Sequence, residues 1–197
     1  MREPDLFSIS TTVPDGFIYR PSFISAAEEH ELVGEIQKLH LAPFKYYQFT
    51  GKRRTASFGW EYEFGSSDIT SAQDLPAFLL PFRRRAGQLF NIEPSSLVQA
   101  SILEYSVGAP IGWHRDIPQF GDVVGISLGA PCRMRFRKYS RNRSKFDRDK
   151  ILSIEIEPRS IYFMSGAARA TWQHSIPAVK ELRYSVVMRT LRATPNL

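Results

Sequence analysis

The sequence predicts a single α+β domain whose core is a β-sandwich or barrel, jelly rolls included. The second half contains six short runs rich in β-forming residues, separated by Gly, Pro and polar turns: 98–105, 123–128, 132–139, 151–156, 160–164 and 183–189. Many short strands with such punctuation are typical of sandwiches and barrels. The chain has 197 residues, of which 43% are hydrophobic and 13% aromatic, so it is long and apolar enough for one substantial core.

Two helices are predicted before this β-rich half. Ser25 and Glu28 form a capping-box pattern, and apolar residues follow at helical spacing, which predicts a helix over about 26–40. Asp74 is a candidate N-cap for a second helix that ends near Phe90.

The segment 44–65 between the two helices is rich in aromatic and β-forming residues. It predicts two strands that reverse at Gly51.

The composition indicates a globular protein and excludes several classes. No apolar run reaches the length of a membrane span, and the N-terminal segment lacks the apolar core of a signal peptide. The single cysteine, Cys132, excludes an internal disulfide framework and a multi-cysteine zinc module. We therefore expect a reducing cytoplasmic setting, or a nuclear one in a eukaryote, with no membrane partner. No obligatory protein partner is evident.

Most of the positive charge is concentrated in residues 133–150. This segment has nine Lys and Arg against two Asp, a net charge of +7, in a chain whose net charge is +6. Such a concentration is typical of a surface that binds a polyanion, and an ordinary solvated hairpin is the alternative. Cys132, Met134 and Phe136 alternate with arginines, which predicts a strand with one apolar and one cationic face.

His114, Asp116 and His174 form a candidate metal site. Residues two apart on a strand point to the same face, so the His-x-Asp pair can offer an imidazole and a carboxylate to one ion. A second histidine completes a two-histidine, one-carboxylate set, which suits non-haem Fe(II). A surface histidine or a simple His–Asp hydrogen bond is the alternative for so short a pattern. We expect His30 and His40, in the first helix, to be ordinary surface or boundary residues.

Arg183 and Arg189 are a candidate clamp for an acidic co-substrate. They are six residues apart on a predicted strand, so both face the same side, together with Ser185. Cations on a face that would otherwise belong to the core need an anionic partner, and a carboxylate suits arginine well. An exposed strand face or a structural ion pair is the alternative.

These residues and their order resemble the AlkB-type Fe(II)/2-oxoglutarate-dependent dioxygenases. The resemblance covers roughly residues 44–192. It rests on the combination of H-R-D at 114–116, His174 in WQHSIP, RYSVVMR at 183–189 and YSVG at 105–108.

The fold that this resemblance implies is a double-stranded β-helix, or jelly-roll, core over about 97–192. Flanking N-terminal helices and a nucleotide-recognition-lid-like segment at about 44–66 complete one domain, 1–197. The implied cofactors are Fe(II), 2-oxoglutarate as co-substrate, and dioxygen. The implied iron ligands are His114, Asp116 and His174. The implied 2-oxoglutarate-binding residues are Arg183 and Tyr105 at the distal carboxylate, Arg189 near the end that chelates iron, and Ser185.

The implied substrate is DNA or RNA with alkylated bases. An alkyl group on a nitrogen would be hydroxylated, and the product would collapse to an aldehyde and the free base, with release of succinate and CO2. A base in a duplex must leave the stack to reach such a site. Candidates to stack on it are Phe58, Trp60 and Tyr62, for which core packing is the alternative. Candidates for phosphate contacts are Arg53, Arg54, Arg141, Arg143 and Lys145, and simple solvent exposure is the alternative for Arg53 and Arg54.

The sequence departs from the family's pattern at four positions. Leu103 and Ser185 stand where asparagine is usual, and Pro118 and Gln119 stand where acidic residues often help to read the base. The alternatives are the same chemistry on a protein side chain or a small molecule, and a non-catalytic nucleic-acid-binding domain that retains the metal site. A zinc hydrolase is a further alternative, but the chain lacks its His-Glu-x-x-His signature.

Overall fold

The computed structural model describes residues 13–46, 49–62, 69–71, 73–140 and 151–192. Twelve strands and three α-helices lie within these ranges. The strands are β1 (Phe17–Arg20), β2 (Ala42–Tyr46), β3 (Phe49–Tyr62), β4 (Ile69–Ser71), β5 (Leu97–Tyr105), β6 (Ile111–His114), β7 (Phe120–Gly129), β8 (Cys132–Lys138), β9 (Leu152–Ile156), β10 (Ile161–Met164), β11 (Trp172–Ile176) and β12 (Arg183–Leu191). The helices are α1 (Ala26–Gln37), α2 (Leu80–Phe90) and α3 (Gly166–Ala170).

The described strands form two antiparallel sheets. The major sheet has the order β1-β10-β7-β12-β5-β3-β2, and β4 pairs with β3. The minor sheet has the order β6-β11-β8-β9. One cluster of buried residues lies between the sheets, and a second covers the opposite face of the major sheet, where α1 and α2 pack. This architecture confirms the predicted α+β jelly roll.

The side chains of β12 point alternately to the two faces of the major sheet, so this strand contributes residues to both clusters. Tyr184, Val186 and Met188 belong to the cluster under the helices. Arg183 and Val187 face the space between the sheets, as the sequence pattern predicts. The predicted strand with one apolar and one cationic face is confirmed as β8, whose Cys132, Met134 and Phe136 are buried between the sheets.

The helix α1 begins as predicted and ends earlier. The Ser25 side chain accepts from the Glu28 backbone, and the Glu28 side chain accepts from the Ser25 backbone, so the capping box is present. The helix ends at Gln37, three residues before the predicted end, because the chain must turn to enter β2. His40 therefore lies outside the helix, and both His30 and His40 are exposed.

The helix α2 begins later than predicted. Asp74 does not cap it, because a short 3-10 turn (Ala77–Leu79) comes first and α2 starts at Leu80. Pro81 follows directly, and proline is tolerated only in the first turn of a helix, so the helix starts where that proline fits.

The strands around Gly51 also differ from the prediction. Tyr46 pairs with Phe49, so the reversal lies between these residues, and Gly51 lies inside β3. The pairing of β2 with β3 sets the position of the reversal, and a single glycine in the sequence does not predict that pairing.

Candidate iron and co-substrate site

The site is built on two short strands that the sequence does not predict. β6 and β11 are neighbours in the minor sheet, and His114 pairs directly with His174. The two ring centroids are 4.2 Å apart. Asp116 lies two residues beyond the end of β6, so its position depends on the following loop and not on strand alternation, which corrects the strand argument for the His-x-Asp pair. One ligand atom from each of the three residues lies within 4.8 Å of the others.

The two imidazoles are neutral at physiological pH. Burial, together with the nearby His114, lowers the pKa of His174 to about 3. Burial also lowers the pKa of His114, which Asp116 partly opposes. His114 Nδ1 lies 2.9 Å from the Gly112 carbonyl oxygen, which can only accept a hydrogen bond. The proton therefore resides on Nδ1, and Nε2 keeps its lone pair for a metal ion.

Asp116 has one occupied and one free carboxylate oxygen. Its Oδ1 accepts hydrogen bonds from Arg189 Nε and Nη2 at 3.3 and 3.0 Å. Its Oδ2 is buried without a hydrogen-bond partner among the described residues and lies 3.7 Å from His174 Nε2. Although burial opposes ionisation, Arg189 and the other cations nearby lower the pKa of Asp116, so it is a carboxylate. An unpartnered buried carboxylate oxygen beside two neutral imidazoles fits a divalent iron ion.

Arg169 supports this site, and sequence reasoning does not single it out. Its guanidinium donates to the carbonyls of Ile117, Phe120 and Gly121 and lies 4.0 Å from Asp116 Oδ2. It therefore fixes the loop that follows Asp116. The only sequence signal is its position in SGAARATWQHSIP, because the contacts join segments about 50 residues apart.

Arg183 is a buried cation without a carboxylate partner in the part of the chain that the structure describes. It is 1% exposed, and it donates one hydrogen bond, from Nη2 to Ser127 Oγ at 3.2 Å. Its Nε and Nη1 have no hydrogen-bond partner within the same ranges. The Tyr105 ring centroid lies 5.0 Å from its Cζ, and Ser185 is buried on the same face of β12. Such an arrangement requires an anion, and the distal carboxylate of 2-oxoglutarate fits it.

A cavity of about 1250 Å3 opens beside the three metal-ligand candidates. Its lining includes His114, Asp116 and Arg189, while Arg183 lies deeper between the sheets. The charged residues in the lining are five arginines and two aspartates: Arg53, Arg115, Arg169, Arg189, Arg192, Asp116 and Asp122. The cavity therefore favours an anionic ligand.

Two of the three aromatic substrate candidates, Phe58 and Trp60, do not line this cavity. Phe58 is 8% exposed and belongs to the core cluster under the helices, which favours the core-packing alternative for this residue. Trp60 is half-buried and outside the cavity lining. The Tyr62 side chain lies outside the described residues. The face of β3 that lines the cavity carries Arg53, Thr55 and Ser57.

The arginines Arg53 and Arg54 separate onto the two faces of β3. Arg53 lines the cavity, with its Cζ 3.8 Å from the Phe44 ring centroid. Arg54 donates to both carboxylate oxygens of Glu104 at 2.8 and 2.6 Å on the opposite face, where it forms a structural ion pair. The other phosphate candidates, Arg141, Arg143 and Lys145, lie outside the described residues.

Of the four departures from the family pattern, two line the cavity. Leu103 and Pro118 both contribute to its wall. Gln119 accepts a hydrogen bond from the Arg192 backbone through its main-chain carbonyl oxygen.

A jelly roll with two histidines and a carboxylate at its mouth defines the class of non-haem iron oxygenases. The match to a family model is consistent with this class: residues 16–193 match the model of the 2OG-Fe(II) oxygenase superfamily, and the chain belongs to that superfamily. Membership implies Fe(II), 2-oxoglutarate and dioxygen.

The relatives support the AlkB-type resemblance. The chain is 28% identical over 198 residues to the "Alkylated DNA repair protein ALKBH8 homolog" of Arabidopsis thaliana, covering 90% of this chain and 56% of that protein. It is 24% identical over 176 residues to the Xenopus tropicalis "tRNA (carboxymethyluridine(34)-5-O)-methyltransferase alkbh8", covering 85% of this chain and 26% of that protein. The chain thus spans about half or less of the length of these curated relatives.

A solved structure confirms the fold. The structure of OsALKBH1 superposes with a TM-score of 0.71 at 15% identity, covering 90% of this chain and 98% of that one.

Among the described residues, no helix combines the length and apolar character that a membrane crossing requires.

Proposed function

We propose that the protein removes alkyl groups from nucleobases of DNA or RNA by Fe(II)- and 2-oxoglutarate-dependent oxidation. The observation that carries the proposal is the arginine-rich cavity that opens at the metal-ligand candidates, because a nucleotide brings its phosphate to any site that receives its base. The relatives named for alkylated DNA repair and for a tRNA methyltransferase support a nucleic-acid substrate.

The chain's own residues would bind and orient the reactants. His114, His174 and Oδ2 of Asp116 would hold iron, and Arg189 would keep the carboxylate in the orientation that presents Oδ2. Arg183 would bind the distal carboxylate of 2-oxoglutarate through its two unpartnered nitrogens.

When bound, iron and 2-oxoglutarate supply the oxidation, in which dioxygen gives one atom to a C–H bond of the alkyl group and the other to succinate as CO2 is released. The hydroxylated alkyl group then leaves the nitrogen as an aldehyde, a step for which no side chain is required. The role of the cavity is to hold the target carbon close to the metal position.

The test is incubation of the protein with Fe(II), 2-oxoglutarate and ascorbate over a panel of methylated DNA and RNA oligonucleotides, read by mass spectrometry. We expect loss of a methyl group from at least one base, abolished by His114→Ala. His30→Ala is the matched control, since His30 is exposed on α1 and should retain full activity. Turnover of 2-oxoglutarate with a protein or small-molecule substrate, without any change in an oligonucleotide, would overturn the nucleic-acid proposal. Absence of iron and 2-oxoglutarate binding would leave only a non-catalytic domain.

A further inference from the structure

The outer face of the minor sheet is a second site of concentrated positive charge. We define this face by the outward residues of three strands: Trp113 on β6, Gln173 and Ser175 on β11, and Arg133, Arg135 and Arg137 on β8. Their inward neighbours are buried between the sheets or belong to the metal site.

The arginines on this face are held in fixed positions. The Trp113 side chain extends across β11, so that its ring centroid lies 5.1 Å from Arg135 Cζ and 4.5 Å from Arg137 Cζ. Arg135 Nε donates to Ser175 Oγ at 3.2 Å, and Arg137 Nε donates to Gln173 Oε1 at 2.8 Å. Because cation–π contacts and hydrogen bonds orient the guanidiniums in advance, a ligand would restrict little further motion when it binds.

The two central arginines of this face lie close enough to repel each other. Burial lowers the pKa of Arg137, and the neighbouring Arg135 lowers it as well. Arg135 donates to a neutral hydroxyl, and no carboxylate pairs with it among the described residues. Glu155 instead pairs with Arg133 at 3.6 Å. An anionic ligand would give Arg135 the charge partner that the described residues do not supply.

This face continues into the cavity. Trp113 and Gln173 also line the cavity wall, and Arg115 stacks on Tyr139 at the same edge, with its Cζ 3.8 Å from the ring centroid. A ligand that lies on the face and enters the cavity must therefore be extended and carry negative charge at intervals. A nucleic acid strand has this form, because every nucleotide carries a phosphate.

We propose that the outer face of the minor sheet binds the sugar–phosphate backbone next to the nucleotide that enters the cavity, with Arg135 and Arg137 on its phosphates. This inference rests on the proposed function and extends it to the path of the substrate outside the cavity.

The test is fluorescence anisotropy with an unmodified, fluorescein-labelled single-stranded oligonucleotide, as DNA and as RNA, over a series of salt concentrations. The variant is Arg135→Gln/Arg137→Gln. The matched control is Arg20→Gln/Arg84→Gln, which removes two exposed arginines from β1 and α2. Thermal unfolding verifies that each variant is folded.

We expect the Arg135/Arg137 variant to bind the oligonucleotide at least roughly 10-fold more weakly, because it no longer neutralises phosphates at this face. The slope of log K against log salt should become shallower by about 0.7 for each phosphate that the variant leaves unneutralised. The control variant should bind like the wild type.

The two proposals fail in distinguishable ways. An Arg135/Arg137 variant that binds with wild-type affinity and slope, while the wild type demethylates an oligonucleotide, overturns the inference and leaves the proposed function in place. Weakened binding by that variant, with no oligonucleotide altered by the wild type, supports the surface and overturns the proposed function. Equally weakened oligonucleotide binding by the control variant also overturns the inference. Labelled polyglutamate serves as a second, non-nucleic-acid polyanion. If the Arg135→Gln/Arg137→Gln variant loses more affinity for polyglutamate than for the oligonucleotide, the inference is overturned as well.

Discussion

Arg189 donates two hydrogen bonds to Oδ1 of Asp116, and this interaction leaves Oδ2 as the one carboxylate oxygen that faces the histidines. The same arginine donates to Gln99 and Ser101, so its guanidinium is itself fixed by β5. A single side chain thus determines which oxygen of Asp116 is available to a metal ion.

Replacing Arg189 should weaken metal binding. In Arg189→Met the Asp116 carboxylate loses both hydrogen bonds that orient it, and we expect the affinity for Mn(II), used in place of Fe(II), to fall roughly 10- to 100-fold. Calorimetry without 2-oxoglutarate measures this affinity apart from the co-substrate. Arg20→Met is the control. Unchanged affinity in Arg189→Met would contradict the orienting role.

Replacing Arg183 should have opposite effects on ligand binding and on stability. Arg183→Met removes a buried cation with two unpartnered nitrogens, so the free energy of unfolding of the ligand-free protein should rise, by on the order of 1 kcal/mol. The affinity for 2-oxoglutarate should fall roughly 100-fold, because a charge-assisted hydrogen-bond pair is lost. Urea unfolding and calorimetry measure the two effects. A loss of both stability and affinity would indicate a structural role.

The matching change at Arg54 should reverse this pattern. Arg54→Met leaves Glu104, which is 6% exposed, without its partner, and we expect the free energy of unfolding to fall. The affinity for 2-oxoglutarate should be unchanged, because Arg54 lies on the face of the major sheet that is turned away from Arg183. A reduced affinity in this variant would place Arg54 in the co-substrate site.

Removing the loop anchor Arg169 should expose the segment after Asp116 to proteolysis. Arg169→Gln loses donors to three carbonyls of the loop 117–121. We expect limited proteolysis to cut within this loop faster than in the wild type, and iron to protect it less. Cleavage at the wild-type rate would mean that the strand ends alone hold the loop.

The stability of the protein should fall steeply at alkaline pH. Burial raises the pKa of Tyr162, Tyr105 and Cys132 above their ordinary values of 10.0, 10.0 and 9.0. Above about pH 9 the unfolded chain releases these protons and the folded chain keeps them, so fewer protons are bound in the unfolded state and stability decreases as pH rises. Tyr162→Phe should reduce the slope above about pH 10 by up to about 1.4 kcal/mol per pH unit. An unchanged slope in urea unfolding would contradict this prediction.

Much of the fold could be predicted because the longer strands are rich in apolar and β-forming residues and are bounded by turn residues. β5, β7 and β12 each bury several apolar residues, and the six strands predicted in the second half lie close to their observed positions. β6 and β11 have four and five residues, with glycine, tryptophan and glutamine among them. Their pairing with each other defines them as strands, and such pairing joins residues about 60 positions apart in the sequence.

The metal-ligand candidates could be predicted for a different reason. Histidine is rare in this chain, and the two histidines of the second half stand in distinctive sequence surroundings. The residues that line the cavity from β3 are harder to predict, because the choice between Phe58 and Arg53 depends on which face of β3 meets the cavity. Both faces of that strand are partly covered, so residue type alone does not distinguish them.

The strand β11 carries His174 on one side and Gln173 and Ser175 on the other. Insertion or deletion of one residue before His174 would exchange the two sides of the strand, and both the histidine and the arginine supports would be displaced together. A change in the length of β11 would therefore disturb the candidate metal site and the outer face of the minor sheet at the same time. Laboratory evolution that preserves turnover should therefore reject insertions and deletions within this strand.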